Sequence, residues 1–245
     1  MRTVDSLLAE MQETRDIIDS FPEYRGMEMH ITEFNTSYNP FCPIHDTNLN
    51  AAYMAGVLAR MGDVAASYSY WTFGDVFEEQ GVPPMPFHGG FGLIANGQIA
   101  KPTLWSFAFF SHLHGTPVHR DEHDGSYEGV LWNLCRTDRD ELTVTIALPA
   151  GGEQTLTTET VDEVTCNPLK VWHDLGEPRS LTANQLRLLR QAGQPAADTA
   201  VLAAENGECT LQMTLRQNAV VRFTLSARNQ QGDYGYDYTW YQQHS

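Results

Sequence analysis

The first 115 residues alternate between helix-like and strand-like patterns of apolar positions. Apolar residues at helical spacing predict helices over 4–20, 48–61 and 103–114. Short apolar runs between them predict strands over 27–32 and 64–71. The order helix, strand, helix, strand, helix favours parallel strands wrapped by helices. Two strands are too few to form a parallel sheet that stands alone, because such sheets need cover on both faces.

Each predicted strand runs into a long loop. Residues 34–46 follow the first strand, and the Gly- and Pro-rich segment 74–100 follows the second. Loops of such length within a compact domain usually carry function or are disordered. The ends of the two strands are therefore the first places to look for chemistry.

From about residue 125 the pattern changes to short runs with partial alternation, separated by turn residues. These runs predict an antiparallel β-sandwich, with strands at 127–134, 142–148, 154–161, 170–172, 209–215 and 219–225. A helical pattern interrupts them at about 182–192. The tail 229–245 is rich in Gln, Gly, Asp and Tyr without periodicity, and predicts a frayed end or a contact segment.

Composition narrows the choice of partners. The chain has 245 residues, 42% of them hydrophobic, and 15 Lys+Arg against 31 Asp+Glu give a net charge of −16. This balance disfavours binding to nucleic acid or an anionic membrane and favours a neutral or cationic ligand. A solvated acidic surface that aids solubility is the simpler explanation of the same charge.

The spacing of the cysteines and the N-terminal residues allow predictions about metal binding and cellular location. The four cysteines have no CxxC pair and no zinc-finger spacing, and lie at Cys42, Cys135, Cys166 and Cys209. We expect free thiols, no structural metal and no cofactor. No apolar run reaches about 18 residues, and the start lacks the apolar region of a signal peptide. A cytoplasmic location is therefore expected.

Glu33 is the leading candidate for a catalytic group. It sits where the first predicted strand ends, in the string Ile31-Thr32-Glu33-Phe34-Asn35-Thr36-Ser37-Tyr38. Barrel enzymes place catalytic groups at the carboxyl ends of strands. Asn35 and Tyr38 offer hydrogen-bond donors that would hold the carboxylate ionised and oriented, as a nucleophile requires. On spacing alone, a carboxylate that caps a loop is the simpler interpretation.

The second strand ends in a similar way. Trp71 is followed by Asp75 and then by Glu78 and Glu79. An indole face stacks on a sugar ring and carboxylates bind its hydroxyls, so Trp71 with Glu78 or Glu79 suits a sugar site. A core tryptophan beside a solvated acidic turn is an equally good interpretation. In the next segment, 87–93, His88 is better explained by loop packing than by catalysis.

These segments together resemble the family 39 glycoside hydrolases, in particular their β-xylosidase branch. The motifs, in order, are ITEFNTSYNP at 31–40, PIHDT at 43–47, SYSYWTF-DVFEE at 67–79, FHGGFGL at 87–93 and KPT at 101–103. Shorter matches continue as NP at 167–168, PR-LT at 178–182 and an N-x-V segment at 218–220. Five ordered motifs are highly specific, although each alone is weak.

The resemblance implies a fold of mixed class. It implies the C-terminal part of a (β/α)8 TIM barrel, with strands seven and eight and flanking helices, over residues 1–115. An antiparallel β-sandwich would occupy residues 116–228, and a tail residues 229–245. An incomplete barrel would leave strand edges open, which favours self-association into a homo-oligomer.

The resemblance also implies a retaining mechanism that uses two glutamates. Glu33 matches the nucleophile and Tyr38 a residue beside it in the active site. Trp71 matches a sugar platform, while Glu79, and less closely Glu78, matches a carboxylate that binds xylose hydroxyls. The implied substrate is a xylo-oligosaccharide or another xyloside.

One part of the family pattern is missing. The family's acid/base glutamate lies in an Asn-Glu-Pro motif ahead of the nucleophile, and this sequence contains none. We therefore expect a β-xylosidase-like chain that is truncated and inactive alone. Two alternatives stay open, namely a non-catalytic carbohydrate-binding or assembly module, and a glycosidase of the same family that acts on another sugar, as α-L-iduronidases do.

Overall fold

The computed structural model describes residues 3–76, 81, 83–113, 115–116, 118–135, 141–229 and 242–244. The helices are α1 (Val4–Ser20), α2 (Asn48–Leu58), α3 (Pro102–Phe110), α4 (Pro168–Asp174) and α5 (Ala183–Ala192). The strands are β1 (His30–Phe34), β2 (Ser67–Tyr70), β3 (Ile94–Ala95), β4 (Ile99–Ala100), β5 (Val118–Arg120), β6 (Tyr127–Trp132), β7 (Leu142–Pro149), β8 (Glu153–Val161), β9 (Ala196–Ala203), β10 (Glu208–Leu215) and β11 (Val220–Ala227).

The predicted helix over 4–20 is confirmed. Thr3 caps α1, because its side chain accepts from the Ser6 backbone N–H while the Ser6 hydroxyl takes the Thr3 backbone N–H. Val4, Leu7 and Met11 are buried along one face of the helix. This capping box and apolar stripe are local signals, so the pattern was enough to set the bounds of α1.

The first two strands form a parallel pair, as predicted. β1 pairs with β2 with His30 opposite Ser67 and Phe34 opposite Tyr70, and the register shifts between Ile31 and Phe34. Two residues of β1, Thr32 and Glu33, thus lie opposite the single residue Ser69 of β2, which marks a bulge at Thr32–Glu33. β1 begins three residues later than predicted and ends two residues later, so Glu33 lies inside the strand and not in the loop after it.

The helices cover one face of this pair. A core of α1, α2 and β1 side chains packs on that face, with Tyr68, Tyr70 and Phe107 against it, and consists of Val4, Leu7, Met11, Phe34, Tyr53, Met54 and Val57. The opposite face carries exposed polar residues such as His30, Thr32 and Ser69. Within the described residues the parallel sheet has two strands and no barrel closes.

The antiparallel region contains two sheets that share a core. A five-stranded sheet has the order β5-β6-β11-β8-β9, and β7 pairs with β10. Side chains from both sheets meet in one cluster, which includes Leu148, Leu211, Phe223 and Leu225. Gly129 leaves room for Phe223, because an added Cβ would lie 2.4 Å from the phenyl ring.

One prediction in this region was wrong, and two strands were not predicted. The segment 170–172 is part of helix α4, because Asn167 caps the helix by accepting from the Lys170 backbone N–H and Pro168 suits its first turn. Strands β5 and β9 were not predicted. β9 is Ala-rich and mostly exposed, so it shows little alternation and is held as a strand by its ladder to β8.

The helical and antiparallel parts pack directly on each other. One core joins α2 and α3 to the five-stranded sheet, with Ala52, Phe109, Val130 and Val220 among its members. It spans the predicted boundary at 115/116. The four cysteines are free thiols, as predicted. None of the described helices is long and apolar enough to cross a membrane.

Candidate active site

Glu33 lies at the carboxyl end of β1, on the face that the helices do not cover. Phe34 points into the helical core and packs edge-on against Tyr70 of β2, with ring centroids 5.9 Å apart. The bulge at Thr32–Glu33 interrupts the alternation of β1, so Ile31 and Phe34 both pack against the helical core while Thr32 and Glu33 both stay on the open polar face. Glu33 is exposed there. Among the described residues it forms no hydrogen bond or ion pair.

Trp71 follows β2 at the same edge of the sheet. Its backbone N–H donates to the Phe34 carbonyl at 3.1 Å, so the parallel ladder continues just past Tyr70. Trp71 is half-buried, and its peptide bond to Thr72 is cis. The structure thus brings the ends of both predicted site segments to one edge. Glu78 and Glu79 lie outside the described residues.

The predicted support of Glu33 by Asn35 and Tyr38 is not present. The Asn35 side-chain amide donates to the Trp71 carbonyl, and its oxygen accepts from the Thr36 backbone N–H. Tyr38 is 94% exposed and projects into solvent. Asn35 therefore ties the loop after β1 to the end of β2, and β-sheet pairing, not a side chain, holds Glu33 in position.

A buried polar network lies directly beneath these loops. The Asn50 side chain, in α2, donates to the Thr103 hydroxyl at 2.9 Å and accepts from the Thr36 hydroxyl. It also lies 3.4 Å from the Tyr70 hydroxyl, which reaches the Asn35 oxygen at the same distance. Burial raises the pKa of Tyr70, which keeps its hydroxyl neutral as a donor. The network joins both strand ends to the helices.

A second buried cluster, which we call the lysine cluster, is formed by Lys101, Asp46 and Asp75. The Lys101 ammonium lies 2.6 Å from Asp46 Oδ1 and 2.6 Å from Asp75 Oδ2, and donates to the Gly90 carbonyl at 2.8 Å. The side chains of all three are at most 3% exposed. The second carboxylate oxygens accept from backbone N–H groups, Asp46 from Gly89 and Asp75 from Gly92.

Burial shifts two ionisable groups at this cluster. Burial raises the pKa of Asp75, and Asp46 adds to that effect against the opposing Lys101 ammonium. Burial lowers the pKa of His45, and Lys101 acts in the same direction. His45 donates from Nδ1 to the Gly89 carbonyl at 2.8 Å, which favours the charged ring, but burial outweighs this contact and the pKa is lowered.

The glycines of segment 87–93 are required by this packing. A Cβ on Gly89 would lie 2.7 Å from the backbone of Phe41 and Cys42, and one on Gly92 would lie 2.4 Å from the Asp75 nitrogen. His88, predicted to pack in the loop, is half-buried there. The segment runs as a close-fitting layer between the loops that follow β1 and β2.

The lysine cluster was missed as a unit by sequence reasoning. Thr47 is the N-cap residue of α2, and Asp46 lies in the short 3-10 helix before it, Pro43–Asp46. A signal was present, since four of the five motifs each supply one member or neighbour of the cluster. The described residues hold no group of three or more His, Cys, Asp and Glu that could bind a metal.

The arrangement is suited to sugar chemistry on its open side. An exposed carboxylate sits on a strand beside an aromatic residue, and the loops around them are held from beneath by two buried polar networks. A carboxylate so held can act as a nucleophile or bind hydroxyl groups.

Comparison with known proteins assigns the chain to a family. The model of the glycosyl hydrolases family 39 matches residues 2–132 and 133–210. The chain is 39% identical over 226 residues to a β-xylosidase of Geobacillus stearothermophilus, covering 88% of this chain and 44% of the relative. It is 29% identical over 217 residues to a β-xylosidase of Caldicellulosiruptor saccharolyticus, covering 81% of this chain and 44% of the relative.

A solved structure agrees with these relatives. The GH39 enzyme from Xanthomonas axonopodis pv. citri has a TM-score of 0.79 at 25% identity, covering 90% of this chain and 49% of that one. This chain spans about half the length of the relatives it matches. The match of the family model to most of the chain is decisive: the chain belongs to family 39 of the glycosyl hydrolases.

Proposed function

We propose that this chain forms the nucleophile-bearing part of a retaining β-xylosidase. One observation carries the proposal: Glu33 stands on the open face of β1, beside the end of β2 that bears Trp71, in a chain 39% identical to a β-xylosidase. In this proposal β1 and β2 are strands seven and eight of a (β/α)8 barrel. The two sheets of the antiparallel region form the sandwich that follows it.

The proposed reaction uses Glu33 as the attacking group. Its carboxylate oxygen would form a bond to the anomeric carbon of xylose as the bond to the leaving oxygen breaks. Water would then release xylose, with retention of configuration after two displacements. Trp71 would stack on the sugar ring and Tyr38 would lie beside it, while Glu78 and Glu79 would bind hydroxyl groups.

In this proposal the partner carboxyl group lies outside these 245 residues. A retaining glycosidase needs an acid/base at about 5–5.5 Å from the nucleophile, to protonate the leaving oxygen and then to activate water. The sequence has no Asn-Glu-Pro motif that could supply this group. Loss of acid/base help costs about 10²–10⁴-fold in rate, so we expect almost no turnover by this chain alone.

A chimaera tests the assignment of Glu33. The part of the Geobacillus β-xylosidase that this chain does not span is joined ahead of it, and hydrolysis of an aryl β-xyloside is measured. We expect activity that Glu33→Gln reduces by about 10⁴-fold or more, as loss of a nucleophile does. Glu28→Gln is the matched control, because Glu28 is an exposed glutamate of the same segment.

Two results would count against the proposal. An active chimaera whose turnover survives Glu33→Gln would show that another group is the nucleophile. Turnover by the 245-residue chain alone, abolished by Glu33→Gln, would show that it has an acid/base that the sequence does not reveal.

A non-catalytic carbohydrate-binding module is the second candidate. Trp71 is half-buried and Tyr38 is 94% exposed, so both can reach a ligand without any acid/base. Calorimetry with xylose and xylobiose decides: heat that disappears in Trp71→Ala supports the module, and no heat with the unchanged chain rules it out. An iduronidase-like specificity fits less well, because an anionic uronic acid favours a basic subsite and the chain carries −16.

A further inference from the structure

The Lys101 ammonium is fully matched to its surroundings. The ammonium forms ion pairs with Asp46 Oδ1 and Asp75 Oδ2, each at 2.6 Å, and donates a hydrogen bond to the Gly90 carbonyl at 2.8 Å. The side chain is 0% exposed. By contrast Lys170, the other lysine of the chain, forms an exposed pair with Asp174.

The three acceptors come from three different segments. Asp46 belongs to the loop after β1, which also carries Tyr38. Asp75 belongs to the loop after β2, four residues beyond Trp71. Gly90 belongs to the glycine segment between them. Lys101 itself immediately precedes α3 and is its N-cap residue, so one side chain anchored on a packed helix holds both loops of the proposed site.

The connection from Lys101 to Trp71 runs through short, directed contacts. The Thr72 backbone N–H donates to the Phe91 carbonyl at 3.2 Å, and the Leu93 N–H donates to the Thr72 carbonyl at 3.1 Å. Phe91 directly follows Gly90, whose carbonyl accepts from the Lys101 ammonium at 2.8 Å. Trp71 is therefore fixed at its C-terminal side by the same segment that Lys101 anchors.

Glu33 is held by different contacts. It lies in β1, whose pairing with β2 and whose Phe34 contact with the helical core do not involve Lys101. A change at Lys101 should therefore displace the two loops beyond the last ladder bond, from the Trp71 N–H to the Phe34 carbonyl, more than it displaces Glu33 within β1. Two buried carboxylates without their cation repel each other, which gives the loops a reason to separate.

We propose that Lys101 is a positioning residue for the substrate, which sets the loops of Tyr38 and Trp71 relative to Glu33. This inference rests on the proposed function and adds a part to it. Lys101 does not touch the substrate. Its effect falls on binding of the sugar and not on the chemical step, because it acts on the loops and not on β1.

The test separates positioning from simple stability. In the active chimaera, Lys101→Met is compared with Lys170→Met, and kcat and KM are measured with an aryl β-xyloside. We expect KM to rise about tenfold or more in Lys101→Met and to stay unchanged in Lys170→Met. A variant that merely folds less well would lower kcat per total protein and leave KM unchanged, since KM does not depend on the amount of active enzyme. That result would overturn the proposal, as would unchanged kcat and KM.

A second variant guards against failure to fold. Lys101→Met combined with Asp46→Asn and Asp75→Asn removes the uncompensated buried charges but still lacks the ammonium link between the loops. We expect it to fold better than Lys101→Met and to keep the raised KM, whereas a normal KM would overturn the proposal. Glu33→Gln is run beside it: if that variant stays active, the proposed function is wrong whatever Lys101 does.

Discussion

The substitution Gly92→Ala tests whether the glycine segment is packed as tightly as the structure has it. A Cβ at Gly92 would lie 2.4 Å from the Asp75 nitrogen, 2.5 Å from the Gly74 carbonyl carbon and 2.6 Å from Asp75 Oδ1, against an ordinary contact of 3.4–4 Å. Two of these three atoms are backbone, so the chain must move by about 1 Å, and such overpacking costs about 1–3 kcal/mol.

The same movement strains a buried hydrogen bond. The Gly92 backbone N–H donates to Asp75 Oδ1 at 2.7 Å, and a hydrogen bond to a charged group contributes about 1.5–3 kcal/mol. If half of that bond is lost, the combined loss of unfolding free energy is about 2–4 kcal/mol. Urea unfolding followed by far-UV circular dichroism and tryptophan fluorescence measures it.

Gly151→Ala is the matched control. Gly151 is exposed, has nothing within 4 Å of an added Cβ and does not need a left-handed backbone. Alanine there should be neutral or stabilise by about 0.4–1 kcal/mol, because it restricts the unfolded chain. If Gly92→Ala falls within about 0.5 kcal/mol of the unchanged protein, as ordinary surface substitutions do, the close packing of this segment is wrong.

Two further predictions concern buried polar groups. Asn50→Leu should lower the unfolding free energy by about 2–5 kcal/mol, because it leaves the buried Thr36 and Thr103 hydroxyls without their partner. The matched control, Asn184→Leu at an exposed position, should change it by less than about 0.5 kcal/mol. Equal effects of the two substitutions in urea unfolding would contradict the buried network. The fold lowers the pKa of His45 below the ordinary value of 6.5. As the pH falls below 6.5, His45 is therefore protonated in the unfolded chain before it is protonated in the folded one, and the free energy of unfolding should decrease. Urea unfolding at pH 7.5 and at a lower pH measures this decrease in the free energy of unfolding. The decrease should be smaller in His45→Gln than in the unchanged protein, and an equal decrease would show that His45 does not cause it.

Local patterns predicted much of the helical part. The helix over 4–20 matches α1 because its cap and its apolar stripe are both adjacent in sequence. Predicted helices over 48–61 and 103–114 exist as α2 and α3 but end earlier, at Leu58 and Phe110. Apolar residues continue past both ends, because they pack in loops, and hydrophobic spacing alone cannot separate a helix from a packed turn.

For the candidate site, the sequence predicted the positions of residues along the strands better than it predicted their contacts. Glu33 and Trp71 were each predicted at the end of a strand, and parallel pairing of β1 with β2 brings the two strand ends together. The predicted partners of Glu33 were wrong, since Asn35 bonds to Trp71 and Tyr38 faces solvent. A side chain can turn to either side of a loop, and its neighbours in sequence do not say which.

Sequence patterns alone were sufficient for the family, the first helix, the parallel order of the two strands and the positions of Glu33 and Trp71 near the strand ends. Each of these depends on residues close in sequence or on motifs whose order is itself the signal. The burial of Lys101 between Asp46 and Asp75 depended on the folded chain. A lysine is normally exposed, and its partners here lie 55 and 26 positions away, so only the packing of three loops on α3 could reveal that this cation is interior.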